Sequence, residues 1–101
     1  MWTQVASTSE LSQGKTRLVH VGNQRVLLCR SDLGLSAIED VCTHDDGPLG
    51  DAPLSGHEIT CPRHGAKFDV MTGKVLCMPA IFPIKTFPVK EEAGFIYIDL
   101  N

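Results

Sequence analysis

Residues 61–69 read Cys61-Pro62-Arg63-His64-Gly65-Ala66-Lys67-Phe68-Asp69, a thiol and an imidazole three positions apart in a Pro- and Gly-containing turn that runs into an alternating segment. Nineteen residues upstream, residues 42–50, Cys42-Thr43-His44-Asp45-Asp46-Gly47-Pro48-Leu49-Gly50, hold a second such pair. The pattern is Cys42-x-His44, sixteen intervening residues, then Cys61-x-x-His64. Each arm supplies one soft thiolate and one borderline imidazole, and each is short enough to sit at the tip of a hairpin.

Outward from these arms the chain reads as strands. No segment sustains the three-to-four periodicity of an amphipathic helix. Arg17 to Val21 and Arg25 to Arg30 flank Gly22-Asn23, which accept positive φ, so a hairpin is expected there. Ser31 to Gly34 turns the chain, and Leu35 to Asp40 forms a strand leading into Cys42. Residues 42–56 carry glycine at 47, 50 and 56 and proline at 48 and 53, which is loop composition. His57 to Cys61 alternates like a strand, residues 67–75 form a hairpin turning at Thr72-Gly73, and residues 76–83 are a proline-punctuated loop. Two last strands surround Glu92-Ala93-Gly94. The expected fold class is all-β.

At 101 residues, 43% of them hydrophobic, the chain is expected to form one domain, residues 1–101. No apolar run approaches the roughly 18 to 20 residues of a membrane span, and the N-terminus lacks the basic-then-apolar layout of a signal peptide, so a cytoplasmic location is expected. A formal net charge of -3 with no cluster of Lys and Arg argues against nucleic acid and anionic membrane as partners. In a reducing compartment the four cysteines, 29, 42, 61 and 77, are more readily metal ligands or buried thiols than disulfides. A tetrahedral zinc could use Cys42, His44, Cys61 and His64. Mixed pairs in both arms suit two metals better, each loop giving its cysteine to one ion and its histidine to the other.

At these residues the sequence resembles the Rieske [2Fe-2S] proteins, whose signature is C-x-H and then C-x-x-H. The likeness runs through Gly47 to Gly50, Cys61 to Val70, Thr72 to Leu76 and Pro79-Ala80. It implies an antiparallel β-sandwich with an inserted cluster-binding subdomain at about residues 41–80. It further implies one [2Fe-2S] cluster, with Cys42 and Cys61 on one iron and His44 and His64 on the other. Two neutral imidazoles in place of two thiolates make the site less negative, and Rieske centres as a class lie at roughly -150 to +300 mV against about -400 mV for all-cysteine plant-type clusters. High-potential members of the family carry a disulfide where this chain has Gly47 and Arg63, and hydroxyl donors where it has Ala66 and Phe68. Their replacement implies a low potential, roughly -150 mV.

The resemblance implies a soluble, monomeric ferredoxin. It would act as a one-electron carrier, not an enzyme, between a flavin-dependent ferredoxin reductase and the terminal oxygenase of a ring-hydroxylating system, docking transiently on each. A nitrite-reductase small subunit, a protein near iron-sulfur assembly and a structural Cys₂His₂ zinc domain are the alternative readings. Chain length argues against an additional mononuclear-iron or flavin domain. Cys29 and Cys77 are expected as small buried hydrophobes, and His20 and His57 on a solvated sheet face. Gly47, Gly50 and Gly65 suit either plain turns or close backbone approach. Pro79 is expected in a loop covering the cluster, and Asp45 and Asp46 as solvated charges.

Overall fold

The computed structural model describes residues 1–43, 47–50, 52–78, 80 and 82–100. The middle of the chain decides how it is built. The hairpin around Gly22-Asn23 forms as expected, joining β2 (Thr16–Val21) to β3 (Gln24–Ser31) with Val21 opposite Gln24, and Gly22 takes φ 62°. β3 then turns through Asp32-Leu33 into β4 (Gly34–Glu39), giving the antiparallel meander β2-β3-β4.

Val26, Leu27, Leu28 and Cys29 on β3 are all fully buried. Side chains alternate across a strand, so this continuous run feeds two different cores. Val26 and Leu28 pack with Val19, Ala37, Phe87, Ile96 and Ile98 on one face. Leu27 and Cys29 pack with Ile38, Ile59, Phe68 and Val70 on the other. The meander is therefore the middle layer, and each of its faces is covered by a further sheet.

On the first face lie β1 (Trp2–Ser7), β9 (Val89–Glu92) and β10 (Phe95–Asp99), in the order β1-β10-β9. The β9–β10 turn carries positive φ at Ala93 (51°) and Gly94 (87°), the geometry that tight hairpins favour. Arg30 of β3 reaches Glu91 of β9 with a two-pronged contact (3.2 and 2.7 Å) that holds the Glu91 carboxyl below its usual pKa. β1 has no local signal in the sequence. Only Ala6 of its six residues is buried, and as an edge strand it shows no alternating apolar face.

On the second face lie β5 (Leu54–Ser55), β6 (Glu58–Thr60), β7 (Lys67–Asp69) and β8 (Val75–Cys77), in that order and all antiparallel. The expected turn at Thr72-Gly73 joins β7 to β8. β8 takes in Leu76 and Cys77, where the sequence predicts the start of a loop. His57 sits in the β5–β6 turn rather than on a strand face, with Nδ1 3.1 Å from Asp32 Oδ1, whereas His20 is exposed on β2 as expected. From Phe82 to Pro88 the chain returns along β4: Ile84 N–H donates to Gly73 O (2.8 Å), Glu39 N–H to Lys85 O (2.9 Å) and Phe87 N–H to Ala37 O (2.9 Å). The all-β, antiparallel class is as expected. Among the described residues no helix is long and apolar enough to cross a membrane.

Candidate metal centre

Both cysteine arms leave strands and close on themselves in the same way. In the first turn Cys42 N–H donates to Gly47 O at 2.7 Å, and in the second Cys61 N–H donates to Ala66 O, also at 2.7 Å. In each case a backbone bond spans five residues and leaves the histidine inside the loop. The second turn has an additional bond, Gly65 N–H to Cys61 O (3.0 Å), and Gly65 takes the left-handed φ of 78° that L side chains rarely adopt. No atom lies within 4 Å of a Cβ built on Gly65, so this glycine serves the turn and not a close approach. Gly50 is likewise open, whereas Gly47 is closely approached by Arg63.

Cys42 and Cys61 have relative exposures of 0% and belong to one core, between the meander and the β5–β8 sheet. Their neighbours there include Leu49, Ile59, Ala66, Phe68 and Ala80. His64, on the second turn, is exposed. The expected ligand set is therefore arranged with thiols inward and the described imidazole outward. His44, Asp45, Asp46 and Pro79 lie outside the described residues. Among the described residues no three His, Cys, Asp or Glu side chains converge on a single point that would hold one metal ion. A two-iron cluster takes only two protein ligands per iron, so it does not require such convergence.

The chemistry of this core is consistent with a metal. Cys29 lies in the same core, and burial pushes its thiol up to about 12. Two further cysteines of this core, Cys42 and Cys61, are presented by closed turns, a placement that suits a pair of thiolate ligands. No disulfide joins any of the four cysteines. Ala66 and Phe68 are both fully buried in this core and, as a methyl and a phenyl group, bring it no hydroxyl donor.

One sequence expectation is corrected. Cys77 is exposed, not buried. It sits on β8, the edge of the four-stranded sheet, where Leu76 is also 43% exposed, so the apolar letters "VLC" do not mark a core strand. Cys29 is buried as expected.

The structure also adds residues with no local sequence signal. The Asp40 carboxylate, buried at the end of β4, accepts from Arg25 Nε (3.1 Å) and Nη2 (2.6 Å) through Oδ2 and from Leu49 N–H (2.8 Å) through Oδ1. It thereby fixes the far end of the first turn to the middle layer. Thr43 Oγ1 donates to Phe82 O at 2.6 Å, tying the same turn to the returning segment. Arg63 Nη1 donates to Pro48 O at 2.9 Å. Apart from Asp40 and Leu49, which are nine residues apart, the partners are fifteen or more residues apart, so the fold brings them together.

Residues 1–88 match the Rieske [2Fe-2S] domain family. The chain is 37% identical over 100 residues to the ferredoxin component of the naphthalene 1,2-dioxygenase system of Pseudomonas putida, covering 99% of this chain and 96% of that one. It is 34% identical over 99 residues to the ferredoxin component of biphenyl 2,3-dioxygenase of Rhodococcus jostii (strain RHA1), covering 98% and 92%. Among solved structures it is similar to the Sphingomonas yanoikuyae B1 ferredoxin (TM-score 0.92, 28% identity, all of both chains). It also resembles a chain in the complex of reduced oxygenase and oxidised ferredoxin in carbazole 1,9a-dioxygenase (TM-score 0.88, 34% identity, 96% of this chain and 91% of that one).

Proposed function

Because the chain belongs to the Rieske [2Fe-2S] domain family, we propose that it is the ferredoxin of a ring-hydroxylating oxygenase system, taking one electron from a flavin-dependent reductase and giving it to the terminal oxygenase. The family implies a Rieske-type [2Fe-2S] cluster, and that group, when bound, accepts and returns a single electron. The proposed ligands are Cys42, His44, Cys61 and His64. The observation that carries the reading is the placement of the described ligands: two thiols buried in one core and His64 exposed on a closed turn.

This placement assigns a role to each part of the chain. The core around Cys42 and Cys61 keeps water from the thiolates, and the middle layer holds the turn that presents Cys42. His64, at the surface, provides a short path to a docked partner. No side chain is required to move a proton or form a bond to substrate, which fits a carrier whose catalytic chemistry belongs to its partners. The ferredoxin in the solved carbazole 1,9a-dioxygenase complex accompanies an oxygenase, and that pairing supports the same kind of partner here.

In this reading the chain is a single domain and a monomer in the cytoplasm, residues 41–80 form the cluster-binding subdomain, and contacts with both partners are transient. Ala66 and Phe68, buried without hydroxyl donors, support a potential near the bottom of the Rieske range, roughly -150 mV. Stopped-flow absorbance tests the role. The reduced protein, mixed anaerobically with the oxidised naphthalene 1,2-dioxygenase oxygenase component, should reoxidise by one electron per chain within seconds. A reduced protein that passes no electron to that or any other ring-hydroxylating oxygenase contradicts the proposal.

A further inference from the structure

The two ligand turns are separate pieces of chain, and a side chain from one of them fastens it to the other. Arg63 lies between Cys61 and His64 in the second turn. Its guanidinium crosses to the first turn, where Nη1 donates to Pro48 O at 2.9 Å. It also lies against Gly47: a Cβ on that residue would stand 2.6 Å from Nη2, 2.7 Å from Cζ and 3.0 Å from Nε. A side chain at Gly47 would have to push the guanidinium aside. The carbonyl of Gly47 is the one that closes the first turn on Cys42 N–H. Arg63 therefore grips the first turn at its closure point and at the next carbonyl.

We propose that Arg63 is a clasp between the two ligand turns, a positioning residue that holds the Cys42 turn against the Cys61 turn and so keeps the cluster in place. The inference rests on the ligand reading above. Its particular content is that the planar guanidinium, set against Gly47 while one nitrogen donates to Pro48 O, performs a task that positive charge alone does not. A lysine ammonium is a point charge without that planar fork of donors.

Charge and clasp are separable by measurement. Cluster loss under anaerobic chelator is followed by visible absorbance, and the midpoint potential by film voltammetry. Arg63→Ala should lose its cluster about tenfold faster than wild type and lower the midpoint, because it removes both the clasp and a positive charge beside His64. Arg63→Lys should restore the midpoint but not the retention. Gly47→Ala, which displaces the guanidinium while keeping its charge, should speed loss with little change in midpoint. In an Arg63→Ala background Gly47→Ala should add nothing, since both changes break one contact.

A cluster-bearing wild type with an Arg63→Ala variant that bleaches at the wild-type rate overturns the clasp alone. So do effects of Arg63→Ala and Gly47→Ala that multiply independently. A wild-type chain that binds no cluster overturns the electron-carrier reading and the clasp together.

Discussion

The turn that begins at Cys42 and the turn that begins at Cys61 are closed by the same bond of the same length, yet they are kept rigid in different ways. The second lies between two paired strands, β6 and β7, and is stiffened from within by the left-handed Gly65 and its bond to Cys61. The first leaves β4 without a partner strand on its far side. It is stiffened by Asp40, which Arg25 of β3 anchors just before the turn, and from outside by Phe82 and Arg63, which the fold brings to it. One turn is largely local in its determinants and the other is tertiary. Damage far away in sequence should therefore reach the Cys42 turn first.

The largest effect should come from Asp40→Ala. It leaves Leu49 N–H without its acceptor and Arg25 without its carboxylate, and it frees the first turn from β3. Removing one member of a buried ion pair typically costs about 3–5 kcal/mol, and because Arg25 is itself half-exposed the lower end is expected, about 3 kcal/mol by urea unfolding. Loss of visible absorbance should precede the loss of β signal by circular dichroism in this variant, since the turn loosens before the layers part. If both fall together at the wild-type urea concentration, the turn is not held by Asp40.

Gly65→Ala probes the other side of the comparison. No neighbouring atom opposes the added methyl, so the cost is that of a left-handed alanine, about 1–2 kcal/mol, with the first turn's contacts intact. A cost near zero would show that the second turn can close without that backbone angle. Thr43→Val removes the hydroxyl that donates to Phe82 O and keeps the shape of the side chain, so about 1 kcal/mol is expected, together with faster bleaching under chelator. A Thr43→Val variant that bleaches no faster would remove Phe82 from the list of supports.

The thiols outside the turns are separated by pH and by reactivity. Burial raises the Cys29 pKa in the folded protein to about 12, so its contribution to stability is full below the ordinary thiol value near 9 and is lost as pH rises towards 12. At neutral pH Cys29→Ala should cost about 1–2 kcal/mol through lost packing, and above pH 9 it should fall less steeply than wild type. Equal alkaline slopes would place the loss elsewhere. Cys77, exposed on its edge strand, should be alkylated by iodoacetamide in the native protein while Cys29 is not.

The same division between local and tertiary determinants explains what could be read in advance. Hairpins around Gly22-Asn23, Thr72-Gly73 and Ala93-Gly94 were legible because a tight turn is written in adjacent letters. So were Cys42, Cys61 and His64 as a spaced set on two turns. β1 was not legible, for it is bound by ladder bonds to β10 and buries only Ala6. Cys77 was misread because three apolar letters look alike on an inner strand and on an edge. Asp40 and Thr43 carried no signal, and Arg63 was legible only as a position without a disulfide cysteine, since the role of a carboxylate, a hydroxyl or a guanidinium is defined by the partner it meets, here Arg25, Phe82 or Pro48, fifteen or more residues away.

The central claim, that these two turns clamp a two-iron cluster with mixed cysteine and histidine ligation, is tested most directly by EPR of the dithionite-reduced protein. A rhombic signal whose average g lies well below the free-electron value, as histidine ligation of one iron implies, is the expected result. A signal of all-cysteine type, or none from a chain that has taken up iron, would contradict the assignment of His44 and His64.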